Sequence, residues 1–453
     1  SPEETMRDPV AAFKLLKRLR HEWVNIAKFT QQSLYQVIDL LELLDYSLIP
    51  ELEDINSAAL GLIGLQEIYK LYPHNITKGE IFVTVQFHCQ KTPLSADEAY
   101  HIGLVAYKED KFQHAFLWFL HSLNRLTDFS STTKNDLLHF LSSSAYQFGS
   151  LPVAIYFGQK LLNLDPSNEE IKVRLGLYRL LRLQRTSNPD IFTLNTQSNN
   201  SYEALCRGEV DERASEQQRA LSCRYSTGGG NPRLMYAPVK EEELWDEPKI
   251  IRYHDVISDT EIETLKDIAR PEVNHTCTRT YHRCIDFYIV YIGYIFVLFT
   301  KHLLKLTLTE FARISQRIAD ITGLSVESAE NLHVQNYGIG GRYTPHFDTG
   351  LNECNITYKC LILQDEVNER TATFLIYMSD VEVGGATVFT NVGVAVKPEK
   401  GSAVFWYNLH KNGELDLKTK HAGCPVLVGN KWVANKWIHE FGQEFRRPCS
   451  LSQ

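Results

Sequence analysis

The chain has 453 residues, 43 % of them hydrophobic, 11 % aromatic and 23 % charged, with a formal net charge of -8. This is the composition of a soluble globular protein with roughly three domains of about 150 residues each. The mild acidity excludes the broad basic surface that nucleic acid or an anionic membrane requires, and nine cysteines are too few for a disulfide scaffold.

The first residues, SPEETMRDP, have neither a basic start nor an apolar core, so no signal peptide is visible. The missing initiator Met reads as a mature form or a fragment. Residues 9–72 read as helical: PVAAFKLLKRLRHEWVNIAKF, LYQVIDLLELL and INSAALGLIGLQEIYKLY space their apolar residues at three and four. Long amphipathic helices without catalytic residue types suit an assembly element, and they suit equally a bundle that buries its own face. We place this helical N-terminal region at 1–90. Residues 95–183 carry an internal repeat, because Ala106-Tyr107 with Ala115 and Ala145-Tyr146 with Ala154 both read AY-x7-A. Small residues at that spacing let helices cross closely, as in tetratricopeptide pairs. Such units present a concave groove for a peptide, which Tyr100, Tyr107, Tyr146 and Tyr156 would line; the competing reading makes these tyrosines core.

Residues 184–245 are polar and rich in Ser, Asn, Arg and Gly, and read as a linker. Cys206 and Cys223 stand in it, and a disulfide closing that short loop would suit an oxidising compartment. From 248 to 449 the pattern changes. After residue 330 come short strands punctuated by Gly, Pro and Asn, among them RYTPHFD, TATFLIYMS, SAVFWYNL and KWVANKWI. Many short strands with turn signals predict a jelly roll or barrel. The fold class expected is therefore α+β and multidomain. Four sequons, at Asn75, Asn199, Asn274 and Asn355, lean toward secretion.

Chemistry concentrates in the last domain. In YTPHFD, His346 and Asp348 are two residues apart, so in a strand they project to one side. His421 follows 73 residues later. Two histidines and one carboxylate on one face of a metal leave positions open, the arrangement of non-haem Fe(II) oxygenases. Zinc competes, but a closed zinc site wants a fourth protein ligand. Ten residues past His421, Lys431 opens the strand KWVANKWI after a turn at Gly429-Asn430. A buried ammonium there would pair with the far carboxylate of a dicarboxylic cosubstrate; otherwise it is a solvated strand-edge lysine.

The stretch HAGCPVLVGNKWVANKW…HEFGQEFRRPC resembles the C-terminal signature of collagen prolyl 4-hydroxylase alpha subunits. NYGIGGRYTPHFD, YMSDVEVGGATVF and KGSAVFWYNL resemble the same family in the same order, and the similarity extends upstream to AFKLLKRL and LCRGE…CRY. The resemblance implies a double-stranded β-helix that uses Fe(II), 2-oxoglutarate and L-ascorbate to hydroxylate C4 of proline in X-Pro-Gly repeats, releasing succinate and CO2. It implies His346, Asp348 and His421 as iron ligands and Lys431 as the anchor of 2-oxoglutarate. His439, Tyr337 and Thr387 would lie about the cosubstrate and Tyr343 about the peptide, while Cys206–Cys223 and Cys424–Cys449 would be disulfides. The repeat region would bind procollagen-like proline-rich peptide, and protein disulfide isomerase would be the beta subunit of an alpha2beta2 tetramer in the endoplasmic reticulum lumen. The chain ends without a KDEL-like tail, so retention would come from that partner.

Two rivals stand beside this reading: a different 2-oxoglutarate oxygenase, and a catalytically impaired peptide-binding scaffold. The second draws on residues 284–308, CIDFYIVYIGYIFVLFTKHLLKLTL, which depart from the family's polar segment. The uncharged run from Phe287 to Thr300 is 14 residues, short of the ~20 a membrane helix needs. Its aromatic and β-branched content favours a strand or buried insert. We expect no membrane span, and we read the segment as foreign to the fold and prone to aggregation.

Overall fold

The computed structural model describes residues 9–32, 50–78, 94–184, 189–194, 201–210, 221–270, 288–291, 301–349 and 369–450. Two compact units divide the chain, residues 1–199 and 200–453.

The first unit is helical. α1 (Pro9–Gln32), α2 (Leu52–Tyr69) and α3 (Pro73–Lys78) precede α4 (Ala96–Lys108), α5 (Phe112–Leu123), α6 (Lys134–Phe148), α7 (Leu151–Leu164) and α8 (Glu169–Gln184). Local sequence sets their ends. Ser95 with Glu98 and Thr133 with Asp136 form capping boxes that satisfy the first amides of α4 and α6. Gly149 stops α6 in a left-handed conformation at φ 97° that a side chain would resist. The repeat alanines Ala106, Ala115, Ala145 and Ala154 are all fully buried at helix crossings. Gly103 makes the closest approach, since a methyl group there would stand 2.6 Å from the Phe119 ring. Forcing one in costs about 1–3 kcal/mol by overpacking. Trp118, also fully buried, donates its indole N–H to Gln66 at 2.9 Å and joins α5 to α2.

The second unit is a two-sheet sandwich backed by helices. Its strands are β1 (Cys223–Ser226), β2 (Val239–Trp245), β3 (Ile250–His254), β4 (Tyr288–Tyr291), β5 (His333–Tyr337), β6 (Tyr343–His346), β7 (Arg370–Tyr377), β8 (Val383–Gly384), β9 (Thr387–Phe389), β10 (Val394–Val396), β11 (Ala403–Tyr407), β12 (His421–Gly423), β13 (Val426–Val428) and β14 (Lys431–His439). The major sheet runs β1-β2-β3-β11-β7-β14-β5-β4, the minor sheet β10-β9-β12-β6, and β8 pairs β13. Strand alternation sorts β7 by face. Ala372, Phe374 and Ile376 pack toward helices α11 (Asp259–Ala269) and α12 (Lys301–Thr322), into a core with Ile262, Leu265, Ile314 and Ile318. Leu375 and Tyr377 turn the other way, joining Phe389, Val396, Trp406 and Val433. This is the expected jelly-roll class with its helical companion.

Two expectations change. The 184–245 stretch is not wholly a linker: it contains α9 (Ser201–Cys206) and the short helix α10 (Pro232–Tyr236), and it contributes strands β1 and β2 to the major sheet. It read as polar because β1 is the edge strand and β2 beside it carries a run of glutamates that pair with basic neighbours, as Glu241 does with Arg224 at 2.7 Å. The cysteine pairing also differs. Cys206 is bonded to Cys424, with Cα atoms 5.5 Å apart, while Cys223 and Cys449 are free and exposed. The cause is where α9 lies: Ser201 donates to the Thr390 carbonyl at 2.9 Å and Tyr202 to that of Gly423 at 3.2 Å, which sets Cys206 beside Cys424. Cys223 instead opens β1, opposite Glu242, and Cys449 lies in the tail next to Ser450, whose amide bonds Lys411. Of the anomalous stretch 284–308, residues 288–291 form β4, antiparallel to β5, and α12 begins at Lys301; the remainder lies outside the described residues. Among the described residues no helix is long and apolar enough to cross a membrane.

Candidate active site

The two sheets face each other across a cavity lined by Tyr337, Tyr343, Thr387, Trp406, Lys431 and the three candidate ligands. β6 and β12 pair so that His346 and His421 are directly opposite. Asp348 falls just past the end of β6, in a bend rather than in the strand, and still turns to the same point. One donor atom from each of the three lies within 4.8 Å of the others, the single such group of three or more His, Cys, Asp or Glu among the described residues.

Backbone contacts fix the imidazoles. Nδ1 of His346 donates to the Thr344 carbonyl at 2.8 Å, and Nδ1 of His421 to that of Thr419 at 3.0 Å. That bond occupies Nδ1 and leaves Nε2 of each ring to face the site. Those Nε2 atoms sit 3.4 and 3.5 Å from the Asp348 carboxylate oxygens. Burial drives His421 down to about 4 despite Asp348, so its ring stays neutral at physiological pH. Burial would raise Asp348, but His421, His346 and the Thr373 hydroxyl outweigh it and hold the carboxyl well below the usual range. Two imidazole nitrogens and one carboxylate thus converge on one point. The donor set therefore fits a metal ion with three protein ligands and open positions, as Fe(II) in an oxygenase takes.

Lys431 is the second unusual group. It opens β14 opposite Tyr337 of β5 and is 4 % exposed. Its ammonium lies 5.5 and 5.7 Å from the ring centres of Tyr337 and Tyr377 and 3.5 Å from the Thr387 hydroxyl. No carboxylate meets it among the described residues, and burial alone pulls it down to about 7. A buried cation without an anion suits an anionic ligand. Tyr377 itself donates to Thr387 at 2.8 Å, and Tyr337 to Gln335 at 2.6 Å. Tyr343 stacks on His346 with centroids 3.9 Å apart.

His439 stands elsewhere. It ends β14, does not line the cavity, and bonds Glu330 at 3.2 Å beside Arg370. Sequence reasoning missed Thr373, Tyr377 and Trp406; the alternation of TATFLIY, which puts Thr373 and Tyr377 on one face, was the signal available. In the helical unit, Tyr100 and Tyr107 sit either side of Phe140 at 5.9 and 5.4 Å, and Tyr146 stacks on Tyr178 at 4.5 Å. These three tyrosines are half-buried, so each keeps an edge toward solvent. Tyr156 is 54 % exposed, with Lys160 over its ring.

A jelly roll with an open His-Asp-His site and a buried lysine defines the class: residues 332–439 match the 2OG-Fe(II) oxygenase superfamily. Residues 1–82 match the prolyl 4-hydroxylase alpha-subunit N-terminal region, and residues 96–183 the prolyl 4-hydroxylase peptide-substrate-binding domain. The chain is 39 % identical over 479 residues to prolyl 4-hydroxylase subunit alpha-1 of Homo sapiens, covering all of this chain and 86 % of the relative. It is 37 % identical to subunit alpha-2 of Gallus gallus, over 100 % of this chain and 86 % of that one, and 33 % identical to human subunit alpha-3, over 98 % and 84 %. The chain belongs to the prolyl 4-hydroxylase alpha-subunit family.

Proposed function

We propose that this chain is the catalytic subunit of a procollagen-proline 4-dioxygenase, hydroxylating C4 of proline in X-Pro-Gly repeats while 2-oxoglutarate is decarboxylated to succinate and CO2. One observation supports this best: a converging set of two imidazole nitrogens and a carboxylate shares a cavity with a buried ammonium that meets no carboxylate among the described residues. His346, Asp348 and His421 would hold the iron. Bound Fe(II), with 2-oxoglutarate and O2, supplies the oxidising power for decarboxylation and for insertion of oxygen into a C–H bond; ascorbate restores over-oxidised iron.

The chain's own residues do the rest. Lys431, charged on contact, binds the distal carboxylate of the cosubstrate, with Thr387 close by to orient it. Trp406, buried and packed 4.8 Å from His421, keeps water from that ligand. Tyr343, stacked on His346, borders the mouth where a proline ring would enter. Peptide in the polyproline II form would be recruited by the aromatic edges of Tyr100, Tyr107 and Tyr146. We assign His439 to the same machinery through its contact with Glu330 and Arg370 rather than as a direct cavity group. Domain limits of 1–90 and 95–183 suit these roles, the catalytic domain of 248–449 extends upstream to take in β1 and β2, and protein disulfide isomerase would be the beta subunit in the endoplasmic reticulum lumen.

The test is a (Pro-Pro-Gly)-type peptide incubated with iron, 2-oxoglutarate and ascorbate, using chain co-expressed with the disulfide isomerase. Peptide-dependent succinate and 4-hydroxyproline are expected in equal amounts. Peptide binding without either product would leave a binding scaffold instead.

A further inference from the structure

Behind Asp348 runs a chain of buried polar groups whose direction is forced. β7 and β11 pair so that Thr373 and Trp406 are directly opposite, and Asn408, two residues past Trp406, turns to the same side. The Trp406 indole N–H bonds Oδ1 of Asn408 at 2.8 Å. An indole can only donate, so that amide oxygen is taken and the NH2 group must face the other way. It meets the Thr373 hydroxyl at 3.0 Å. An amide NH2 also only donates, so the hydroxyl oxygen accepts there. Its single proton then has one destination, Oδ2 of Asp348, at 2.7 Å. Trp406, Asn408 and Thr373 are each no more than 1 % exposed, so no water competes for these bonds.

We propose that Thr373, Asn408 and Trp406 are positioning residues for the metal: they commit Oδ2 of Asp348 to the Thr373 hydroxyl and so hold the carboxylate as a one-oxygen ligand. Chelation through both oxygens would make Oδ2 share its electron density between the metal and the Thr373 proton, which weakens its hold on the metal and leaves the other oxygen as the principal ligand. One-point attachment keeps a coordination position open for the cosubstrate and O2. The same chain spans the cavity, because Asp348 follows a minor-sheet strand while Thr373 and Trp406 belong to the major sheet. Trp406 also packs against His421, so one side chain orients two of the three ligands. This rests on the metal-site reading above, so the probe has to report coordination without turnover.

The test titrates Co(II) into the full chain without 2-oxoglutarate and records affinity and ligand-field absorption. Thr373→Val keeps the shape and removes the proton. It should weaken Co(II) binding about 10- to 100-fold, the usual effect of losing a hydrogen bond to a metal ligand, and shift the absorption bands. Thr373→Ser, which restores the hydroxyl, should recover both. Asn408→Asp keeps Thr373 but offers its hydroxyl a carboxylate, turning its proton away from Asp348, and should resemble Thr373→Val. Wild-type affinity and spectrum in both Thr373→Val and Asn408→Asp would overturn the proposal. So would a folded Thr373→Ser no better than Thr373→Val, since that pattern belongs to packing. If the wild-type chain itself bound no Co(II), the metal-site reading would fall first.

Discussion

In the helical unit, burial pushes His101, His114 and His121 down to about 4, and their Nε2 atoms meet no hydrogen-bond partner among the described residues. In the catalytic unit, burial pushes His421 down to the same value, but its Nδ1 is tied to a carbonyl and its Nε2 faces Asp348. The shift is alike and the outcome is not. A depressed imidazole marks a site when its lone pair is aimed at something. Without an aim it is a group that the fold keeps neutral.

The sharpest break in that comparison is His421→Ala, which removes one of the three proposed metal ligands. Metal binding and peptide-dependent 2-oxoglutarate turnover should both be abolished, as with His346→Ala or Asp348→Ala, whereas His114→Phe should leave the metal titration unchanged. Acid should act next, through buried histidines of both units. Unfolded imidazoles take protons near 6.5, while the buried ones in the helical unit refuse them until about 4. Unfolding therefore binds protons below 6.5, so stability is full above that pH and falls as pH drops toward 4. His114 alone should account for on the order of 3 kcal/mol. Melting curves of the full chain from pH 7.5 to 5 would show the loss, and His114→Phe should reduce it by the His114 share while the other buried histidines keep the rest; pH-independent melting would contradict it.

Lys431→Ala should raise the 2-oxoglutarate KM about 10- to 100-fold, the weight of a charge-assisted contact, with a smaller effect on kcat. Its titration adds a sign. The free ammonium loses its proton near 7 and a dicarboxylate holds it on, so binding above that pH takes up a proton and weakens as pH rises. Calorimetry in buffers of different ionisation enthalpy would detect this, and Lys431→Ala should abolish it. The smallest effect is expected in the other unit: Tyr146→Ala should weaken proline-rich peptide binding to residues 95–183 by about 1 kcal/mol, with no need for iron. No binding by the folded fragment would remove its recruiting role.

What sequence made legible was whatever lies close along the chain. His346 and Asp348 are two residues apart, Lys431 follows His421 by ten, and the repeat alanines recur at fixed spacing. What it hid depends on register and on distant packing. Cys206 and Cys424 are 218 residues apart, and nothing local favours that pair over a nearby one. Trp406 meets Thr373 through the β11–β7 register alone. Strand β1 escaped because an edge strand is solvated on its open side, and β2 because its glutamates, paired with Arg224 and Lys249 in the fold, read as a solvated loop. His439 shares a strand with Lys431, yet it lies at the far end, where Glu330 claims it.

The candidate ligands His346 and His421 belong to the minor sheet and Lys431 to the major sheet. The gap between the sheets is thus a caliper for the cosubstrate. Sheets in a sandwich stand about 10 Å apart, and the side chains of Leu375, Phe389, Val404 and Val433 between them fix that gap here. On the proposed roles of the His-Asp-His set and Lys431, an oxo-diacid one carbon shorter is expected to reach only one of them, and one carbon longer to buckle. Selectivity for chain length is then a property of the hydrophobic core, and a core substitution that narrows or widens the sandwich should retune it with every polar group intact.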